Sequence, residues 1–374
     1  MNNNRSLLCR APLMCAMLLI SLFFYGCSTV GYYWQSVRGQ FDIWGREQSI
    51  AEVINAPATP AALKQKLVFA LKARAFASAQ LALPNNASYQ RYANLERPYV
   101  VWNVFATPEF STLPLNWCFV MAGCVSYRGY FAKTDAEAFA KHAADEGNDI
   151  YVGGVPAYST LGWFADPVLN TFVNYPPVEL ARIIFHELAH QVVYVKGDTV
   201  FNESFAVTVE REGLRRWLAA NGGDQDRRMV QAMRTQRADF VALVQRYRVK
   251  LEALYKQGRE AGTAPEPLRA AKQSAFAAMR EDYAVLKARW GGYAGYDPWF
   301  AAPPSNARLA SVNLYSEKVP AFEAMLEQQG RDLPKFYDAV KALAREDKAV
   351  RDARLDAWAK TAANVAAEVA ADAL

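Results

Sequence analysis

The stretch His186-Glu187-Leu188-Ala189-His190 guides the interpretation of the whole chain, because it places two of the three histidines four residues apart. Four residues advance an α-helix by slightly more than one turn, so both imidazoles project from one face and can hold one ion. Imidazole nitrogen is a preferred ligand of zinc. Glu187 follows the first ligand, where its carboxylate can exchange a proton with an activated water. The spacing predicts a catalytic zinc site on a helix.

A catalytic zinc needs a third protein ligand and an open fourth position. A third histidine of the metzincin type is excluded, because Lys196 and Val200 occupy that region of the chain. The remaining histidine, His142, lies upstream in a predicted amphipathic helix and is expected on a solvated face. The third ligand is therefore predicted to be a carboxylate.

Glu203 is the first candidate for that carboxylate. It opens the next predicted helix in Asn202-Glu203-Ser204-Phe205-Ala206, which resembles the Asn-Glu-x-x-Ala segment of gluzincin metallopeptidases, where the glutamate is the third zinc ligand. Glu210 lies two turns along the same face, and three readings stay open for it: a carboxylate that orients a histidine, a substitute ligand, or a surface residue. Asp198 is a weaker competitor for the metal.

The segments around this helix predict an α+β fold with a small sheet, a pair of active-site helices and a mostly helical C-terminal half. Strands are predicted at 99–105, 117–121, 125–131 and 150–158 from β-branched and aromatic content. Helices are predicted at 135–146, 177–196 and 202–220, followed by an antiparallel helical hairpin and further helices from Val319 onward.

A peptide-cleaving site needs a surface for the substrate backbone and a donor for the oxyanion. The strand before the metal helix contains Gly153, Gly154 and Val155, and Tyr158 follows it; these four are the predicted substrate-binding residues. Pro156 places this strand at a sheet edge, since proline donates no ladder hydrogen bond. Tyr315 is the candidate oxyanion donor, one of nineteen tyrosines.

The N-terminus is typical of an exported protein. Arg5 and Arg10 precede the apolar stretch 14–24, as in a signal peptide. The stretch ends at Gly26-Cys27, which resembles the cleavage and lipid-attachment site of bacterial lipoproteins, and Ser28 then resembles the outer-membrane sorting signal. Plain cleavage or an uncleaved anchor are the alternatives.

Export also bears on the remaining cysteines. Cys118 and Cys124 form an isolated pair on either side of a predicted turn, and a disulfide between them would clip a hairpin. Two buried thiols are the alternative.

Composition bounds the remaining possibilities. The 374 residues are 52% hydrophobic and carry a net charge of only +5. This excludes global disorder, and the absence of a basic run excludes a nucleic-acid partner. We divide the chain into a signal peptide (1–26), a tether with a first helix (27–60), a catalytic core (61–220) and a helical region that closes the cleft (221–374).

The chain resembles the bacterial family of predicted aminopeptidase lipoproteins over nearly its whole length after the signal peptide. The resemblance is carried by residues 97–105, 127–131, 152–164, 185–191 and 202–206, which include the histidine motif and the Asn-Glu pair. It implies a zincin-like peptidase of gluzincin type that binds Zn²⁺ through His186, His190 and Glu203. The family label implies a zinc peptidase more firmly than it implies exopeptidase action.

We therefore expect a zinc-dependent peptidase, an aminopeptidase by resemblance, that acts on peptides. The expected location is the periplasmic side of the cell envelope, with a lipid anchor at the outer membrane. Two alternatives stay open: an endopeptidase or cell-wall amidase with the same zinc site, and a non-catalytic envelope lipoprotein with structural zinc.

Overall fold

The computed structural model describes residues 30–120, 122–313 and 317–372, with the backbone alone at residue 313 and from 362 onward. Over these residues the protein is a mixed α+β structure with long helices and small sheets, which confirms the predicted α+β class. The signal segment and Cys27 lie outside the described residues.

The described helices are α1 (30–46), α2 (Ile50–Asn55), α3 (Ala61–Leu81), α4 (Lys133–Asp145), α5 (Asn170–Val173), α6 (Pro177–Ala189), α7 (Thr199–Asn221), α8 (Asp224–Glu260), α9 (Pro265–Arg289), α10 (Asp297–Ala301), α11 (Asn306–Asn313), α12 (Val319–Gln328), α13 (Leu333–Ala344) and α14 (Lys348–Asp372). The described strands are β1 (Glu47–Ser49), β2 (Arg91–Ala93), β3 (Val101–Pro108), β4 (Trp117–Phe119), β5 (Gly123–Val125), β6 (Arg128–Tyr130), β7 (Asn148–Val155) and β8 (Val168–Leu169).

The sheet nearest the site has the order β6-β3-β7, with both pairs antiparallel. β7 therefore lies at an edge, which confirms the expectation from Pro156. Side chains alternate between the two faces of a strand. One face carries Val104 and packs against α4. The other carries Asn103 between Gly129 and Gly153, so side-chain bulk is small at this position, whereas the rings of Phe105 and Tyr151 stack further along the same face.

Helix α6, which carries His186 and Glu187, is held in the core between α3 and α7. Phe185 is fully buried, and its ring lies 6.0 Å from that of Phe76 in α3 and 6.3 Å from that of Trp217 in α7. Gly213 allows this close packing, because a Cβ there would lie 2.8 Å from the Phe185 ring. The other side of α7 packs on α12, where the rings of Phe201 and Phe322 are 5.1 Å apart.

The predicted helical hairpin is present as α8 and α9, with its own core. Tyr247, Leu251 and Tyr255 of α8 pack against Phe276 and Met279 of α9. α11 joins this hairpin to the sheet, since it contacts β3 and β7 as well as α8. The hairpin is therefore a wall of the molecule next to the sheet face that carries Asn103.

Three sequence predictions differ from the structure. Residues 30–46 form a helix against the sheet rather than a tether, with Gln35 bonded to Gly129 and Phe131. The strand predicted at 125–131 is divided between β5 and β6 in separate sheets. α6 ends at Ala189 rather than at Lys196.

After Ala189 the chain leaves the α-helix through two turn hydrogen bonds, from the amide of Gln191 to Leu188 and from the amide of Val192 to Ala189. Further along this loop, the side-chain amide of Asn202 bonds both backbone groups of Val195, at 2.7 and 2.8 Å, and so ties the loop to α7. Within the described part of the chain, no helix has the length and apolar character needed to cross a membrane.

Candidate metal centre

The two histidines of the motif face each other at the end of α6. Their Nε2 atoms are 3.2 Å apart, and both residues are buried. His190 lies just beyond the helix, but its φ of −59° and ψ of −22° remain helical. The four-residue spacing therefore puts both rings on one face, as the sequence predicted.

Glu203 reaches the same point from α7. Its Oε2 lies 3.3 Å from Nε2 of His186 and 3.7 Å from Nε2 of His190. The two hydrogen bonds of Asn202 to Val195 fix the chain just before it, and Asp198 caps α7 by accepting from the amide of Phe201. Each of the three side chains offers one ligand atom, and these atoms all lie within 4.8 Å of one another.

The spacing of these atoms suits a small tetrahedral cation. Zinc bonds of about 2.0–2.1 Å at tetrahedral angles hold ligand atoms about 3.3–3.4 Å apart. The pairs involving His186 are separated by 3.2 and 3.3 Å. Two imidazoles and one carboxylate are also the ligand types of a catalytic zinc site. The residues present fit zinc.

Glu210 contacts the opposite nitrogen of His186. Its Oε2 lies 2.9 Å from Nδ1 of His186 and also 2.9 Å from Arg182. A proton on Nδ1 directed at Glu210 leaves the lone pair on Nε2, on the side of Glu203. Of the three readings for Glu210, this geometry favours the carboxylate that orients a histidine.

Electrostatics hold Glu210 ionised. Burial alone would raise its pKa, but the positive charge of Arg182 and the contact with His186 hold the pKa at about 2. Arg182 is itself fixed by Glu179 at 2.9 Å. Glu210 and Arg182 therefore form a charged support behind the first histidine.

Without a metal, the pKa values of the two histidines are shifted in opposite directions. Burial disfavours a charged His186, but Glu203 and Glu210 outweigh it and raise its pKa to about 10. Burial also disfavours a charged His190, whose pKa falls to about 4, and its buried Nδ1 has no hydrogen-bond partner in the described chain. A metal must therefore displace one proton from His186, whereas His190 is ready to bind as a neutral ligand.

Glu187 points into the same cleft with little exposure. Burial raises the pKa of its carboxyl to about 7, with a further contribution from the charge of Glu203. A carboxyl that titrates near neutrality can both accept and return a proton at physiological pH. This is the behaviour expected of a general base.

Asp198 has a different set of partners. Its Oδ2 lies 2.8 Å from Arg351 and 3.4 Å from Lys348, both in α14. Because Asp198 also caps α7, its carboxylate is occupied by structural contacts. Among the carboxylates weighed from the sequence, Glu203 alone joins both histidines.

A cleft of about 750 Å³ contains the three candidate ligands and Glu187. Of the predicted substrate-binding residues, Gly154, Val155 and Tyr158 line this cleft, whereas Gly153 lines an adjoining cavity of about 270 Å³. The hydroxyl of Tyr158 bonds Gln40 and is not directed at the metal group. Tyr315, the predicted oxyanion donor, lies outside the described residues.

Several lining residues were missed by sequence reasoning. Tyr127 and Tyr194 line the cleft, and burial followed by the negative charge of Glu203 raises the pKa of both. Asn103 from β3 and Arg237 from α8 line it as well. With nineteen tyrosines and a dense set of arginines on α8, no spacing in the sequence distinguishes these side chains from solvated or core residues.

Cys118 and Cys124 are joined by a disulfide across the β4–β5 hairpin. The tip of this hairpin packs on the loop that follows the metal helix, where the amide of Gly197 donates to Ala122 at 2.9 Å. Gly123 makes the approach possible, since a Cβ there would lie 2.7 Å from the nitrogen of Gly197. The hairpin thus supports the loop that leads into Glu203.

Comparison with known proteins gives the class. A family model described as "Putative aminopeptidase" matches residues 31–355, and the chain belongs to this family. No curated protein and no solved structure matches the chain. The family match covers both histidines, Glu187, Glu203 and the α8–α9 hairpin.

Proposed function

We propose that this protein is a zinc-dependent peptidase with a zincin-like active-site helix pair. The observation that carries the proposal is the convergence of His186, His190 and Glu203 within 4.8 Å, beside a buried Glu187 in an open cleft. Membership of a family described as aminopeptidases supports peptide bonds as the substrate. Tyr315 stays the proposed oxyanion donor from the sequence, and Tyr127 and Tyr194 are phenols that line the cleft.

The reaction is hydrolysis of an amide. His186, His190 and Glu203 would hold the zinc, which would supply the Lewis acidity that lowers the pKa of a water and polarises a carbonyl. Glu187 takes a proton from the attacking water and delivers it to the departing nitrogen. The water oxygen bonds to the carbonyl carbon, the C–N bond breaks, and the products are a carboxylic acid and an amine, which ionise to a carboxylate and an ammonium when the acid proton passes to the amine. Glu210 keeps His186 in the orientation that presents Nε2.

Glu187 distinguishes a catalytic zinc site from a structural one, because a structural site needs no general base beside the metal. In a zinc-loaded Glu187→Gln protein we expect full metal content and a loss of peptide hydrolysis of roughly 10²–10⁴-fold. Glu137→Gln, the same change on the exposed face of α4, should keep full activity. A Glu187→Gln protein that retains turnover would refute the role of this residue.

The mode of cleavage is decided by matched peptides with free and acetylated N-termini. An aminopeptidase cleaves only the free peptides, whereas an endopeptidase or a cell-wall amidase of the same zinc chemistry tolerates the acetyl group. A peptide-library digestion with and without a chelator identifies the preferred bond. Zinc-dependent cleavage of any peptide would dismiss the alternative of a non-catalytic lipoprotein with structural zinc.

We also propose that Cys27 carries a lipid and that the protein faces the periplasm from the outer membrane. The sequence around Cys27 supports the anchor, and a disulfide between Cys118 and Cys124 suits an oxidising compartment. In fractionated bacterial cells, Cys27→Ser should move the protein out of the membrane fraction. An unchanged distribution would contradict lipid anchoring.

A further inference from the structure

Arg237 brings to the metal cleft a positive charge that has no direct carboxylate partner among the described residues. It extends from α8 and lines the cleft together with the candidate ligands, and it also lines two adjoining cavities of about 270 and 470 Å³. The part of the chain that the structure describes provides no hydrogen bond and no salt bridge for its guanidinium. Its position at the junction of three cavities makes it accessible from each of them.

The carboxylates nearby are already engaged. Among the described residues that line the cleft, the acidic ones are Glu187, Glu203 and Glu210. Glu203 lies against both histidines, and Glu210 is held by Arg182 and His186. Glu187 is the proposed base. Glu210 lies close enough to feel the charge of Arg237, but none of the three forms a salt bridge with it in the described chain, so the N–H donors of its guanidinium stay available.

The adjoining cavity of about 470 Å³ also has an excess of positively charged side chains in its lining. Its lining contains six arginines against four glutamates. Arg234, one turn before Arg237 on α8, donates to the carbonyl oxygen of Arg211 and forms no salt bridge within the described residues. Two neighbouring arginines of α8 therefore line the adjoining cavity without a salt-bridge partner in the described chain, and Arg237 of the two also lines the metal cleft.

The sheet provides a path from the metal group to Arg237. Asn103, Gly154 and Val155 line both the cleft and the cavity of about 270 Å³, and Arg237 lines both as well. An extended chain that passes the metal along this sheet face therefore meets the guanidinium. A guanidinium presents paired N–H donors that match a carboxylate, which gives a strong and directional contact.

We propose that Arg237 is a specificity-determining residue that binds a carboxylate of the peptide substrate. The carboxylate comes either from the C-terminus or from an acidic side chain, and both share this chemistry. The inference rests on the proposed peptidase function and adds a substrate class to it. It also predicts that recognition at this side of the cleft depends on a negative charge rather than on a substrate ammonium.

The test uses alanine-rich pentapeptides in matched pairs and the zinc-loaded protein. One pair differs in a C-terminal carboxylate or carboxamide, and the other pair, with amidated C-termini, in a central Glu or Gln. We expect one charged peptide to be cleaved with a KM lower by about tenfold than its neutral match. The pair that shows the preference identifies the source of the carboxylate.

Arg237→Gln should abolish this preference by raising KM for the charged peptide while kcat stays within about twofold. Arg237→Lys should recover part of it, because lysine keeps the charge but not the paired donors. Arg228→Gln, the same change at an exposed position of α8, should leave the preference intact. Equal cleavage of charged and neutral peptides by the native protein would overturn the inference and leave the peptidase proposal standing.

A binding measurement separates the two proposals if no peptide is cleaved. Calorimetry with zinc-loaded Glu187→Gln should show tighter binding of the charged peptide, and Glu187→Gln with Arg237→Gln should lose that difference. This result supports the anion site even when turnover is absent. Equal binding of charged and neutral peptides by Glu187→Gln would overturn it.

Discussion

The two ring nitrogens of His186 have different partners, and this difference assigns different roles to the neighbouring carboxylates. One ring nitrogen lies 2.9 Å from Glu210, while the other lies 3.3 Å from Glu203 and 3.2 Å from the facing nitrogen of His190. The two carboxylates therefore act on different nitrogens, one by orienting the ring and one by joining the metal group. This division makes different predictions for the two glutamates.

Removal of Glu203 should remove a ligand, so Glu203→Ala is expected to lose zinc during dialysis. Metal analysis of the purified protein by atomic emission measures the outcome. Full zinc occupancy in Glu203→Ala would point to Glu210 or Asp198 as the third ligand. Glu137→Gln on α4 serves as the control for a lost carboxylate far from the site.

Loss of the charge on Glu210 should weaken zinc binding without abolishing it. For Glu210→Gln we expect an affinity lower by roughly 10–100-fold, because the orientation of His186 is no longer fixed. Competition with a chromogenic chelator gives the affinity. A zinc affinity as high as that of the native protein would show that the ring is held by other contacts.

The loop between α6 and α7 is the element on which the site depends. It ends α6 early, caps α7 through Asp198 and is supported by the disulfide hairpin. Gly123 and Gly197 meet there, and both have positive φ, near +77° and +78°. Elements that are short and irregular in sequence thus determine where Glu203 lies relative to the histidines.

This contact predicts a position-dependent cost for alanine at two glycines of similar backbone conformation. Gly123→Ala should destabilise the protein by about 1–3 kcal/mol from the left-handed backbone, and by more because its Cβ would meet the backbone of Gly197. Gly147→Ala, at φ +85° with open space, should show the backbone cost alone. Denaturant unfolding compares the two; equal losses would contradict the close approach.

At the scale of the whole molecule, a cluster of charges around the buried Glu212 ties α7 to the C-terminal helices. Glu212 of α7 accepts from Arg215 and Arg216 of the same helix, at 2.7 and 2.8 Å, and from Arg331 between α12 and α13, at 2.5 Å. Burial alone would raise the pKa of Glu212, but the hydrogen bonds from Arg215 and Arg216 outweigh it and hold the pKa at about 2. The ionised carboxylate therefore stabilises the fold.

Because folding lowers the pKa of Glu212, the stability of the protein should depend on pH. A carboxyl with a lowered folded-state pKa contributes stability above its ordinary pKa of 4.5 and loses it as the pH falls towards 2. Glu212→Gln should lower the free energy of unfolding at pH 7 by about 1–2 kcal/mol, since the buried carboxylate loses its charge while its arginine partners remain partly solvated. The difference from the native protein should shrink below pH 4.5.

Urea unfolding at several pH values measures this effect. Glu260→Gln, at an exposed position at the end of α8, should change the stability little at any pH. A deficit of Glu212→Gln that stays constant from pH 7 to pH 3 would contradict an ionised Glu212 as its source.

The sequence determined the parts that follow from local spacing. The four-residue spacing of His186 and His190 places both rings on one helical face wherever that helix lies, and apolar periodicity determines the α8–α9 hairpin. Pro156 located the sheet edge because a missing N–H is a local property. Glu203 could be selected before its position was known because residues 202–206 resemble the third-ligand segment of gluzincin metallopeptidases.

Tertiary structure alone decided which distant side chains meet those residues. Arg237 comes from a helix whose many arginines look alike in sequence, and only the packing of that helix beside the sheet brings this one to the cleft. The loop after α6 is held at Val195 by the side-chain amide of Asn202, which comes from the next helix. Contacts between residues far apart in the chain depend on how whole helices and strands pack, and the local spacing of residues does not predict that packing.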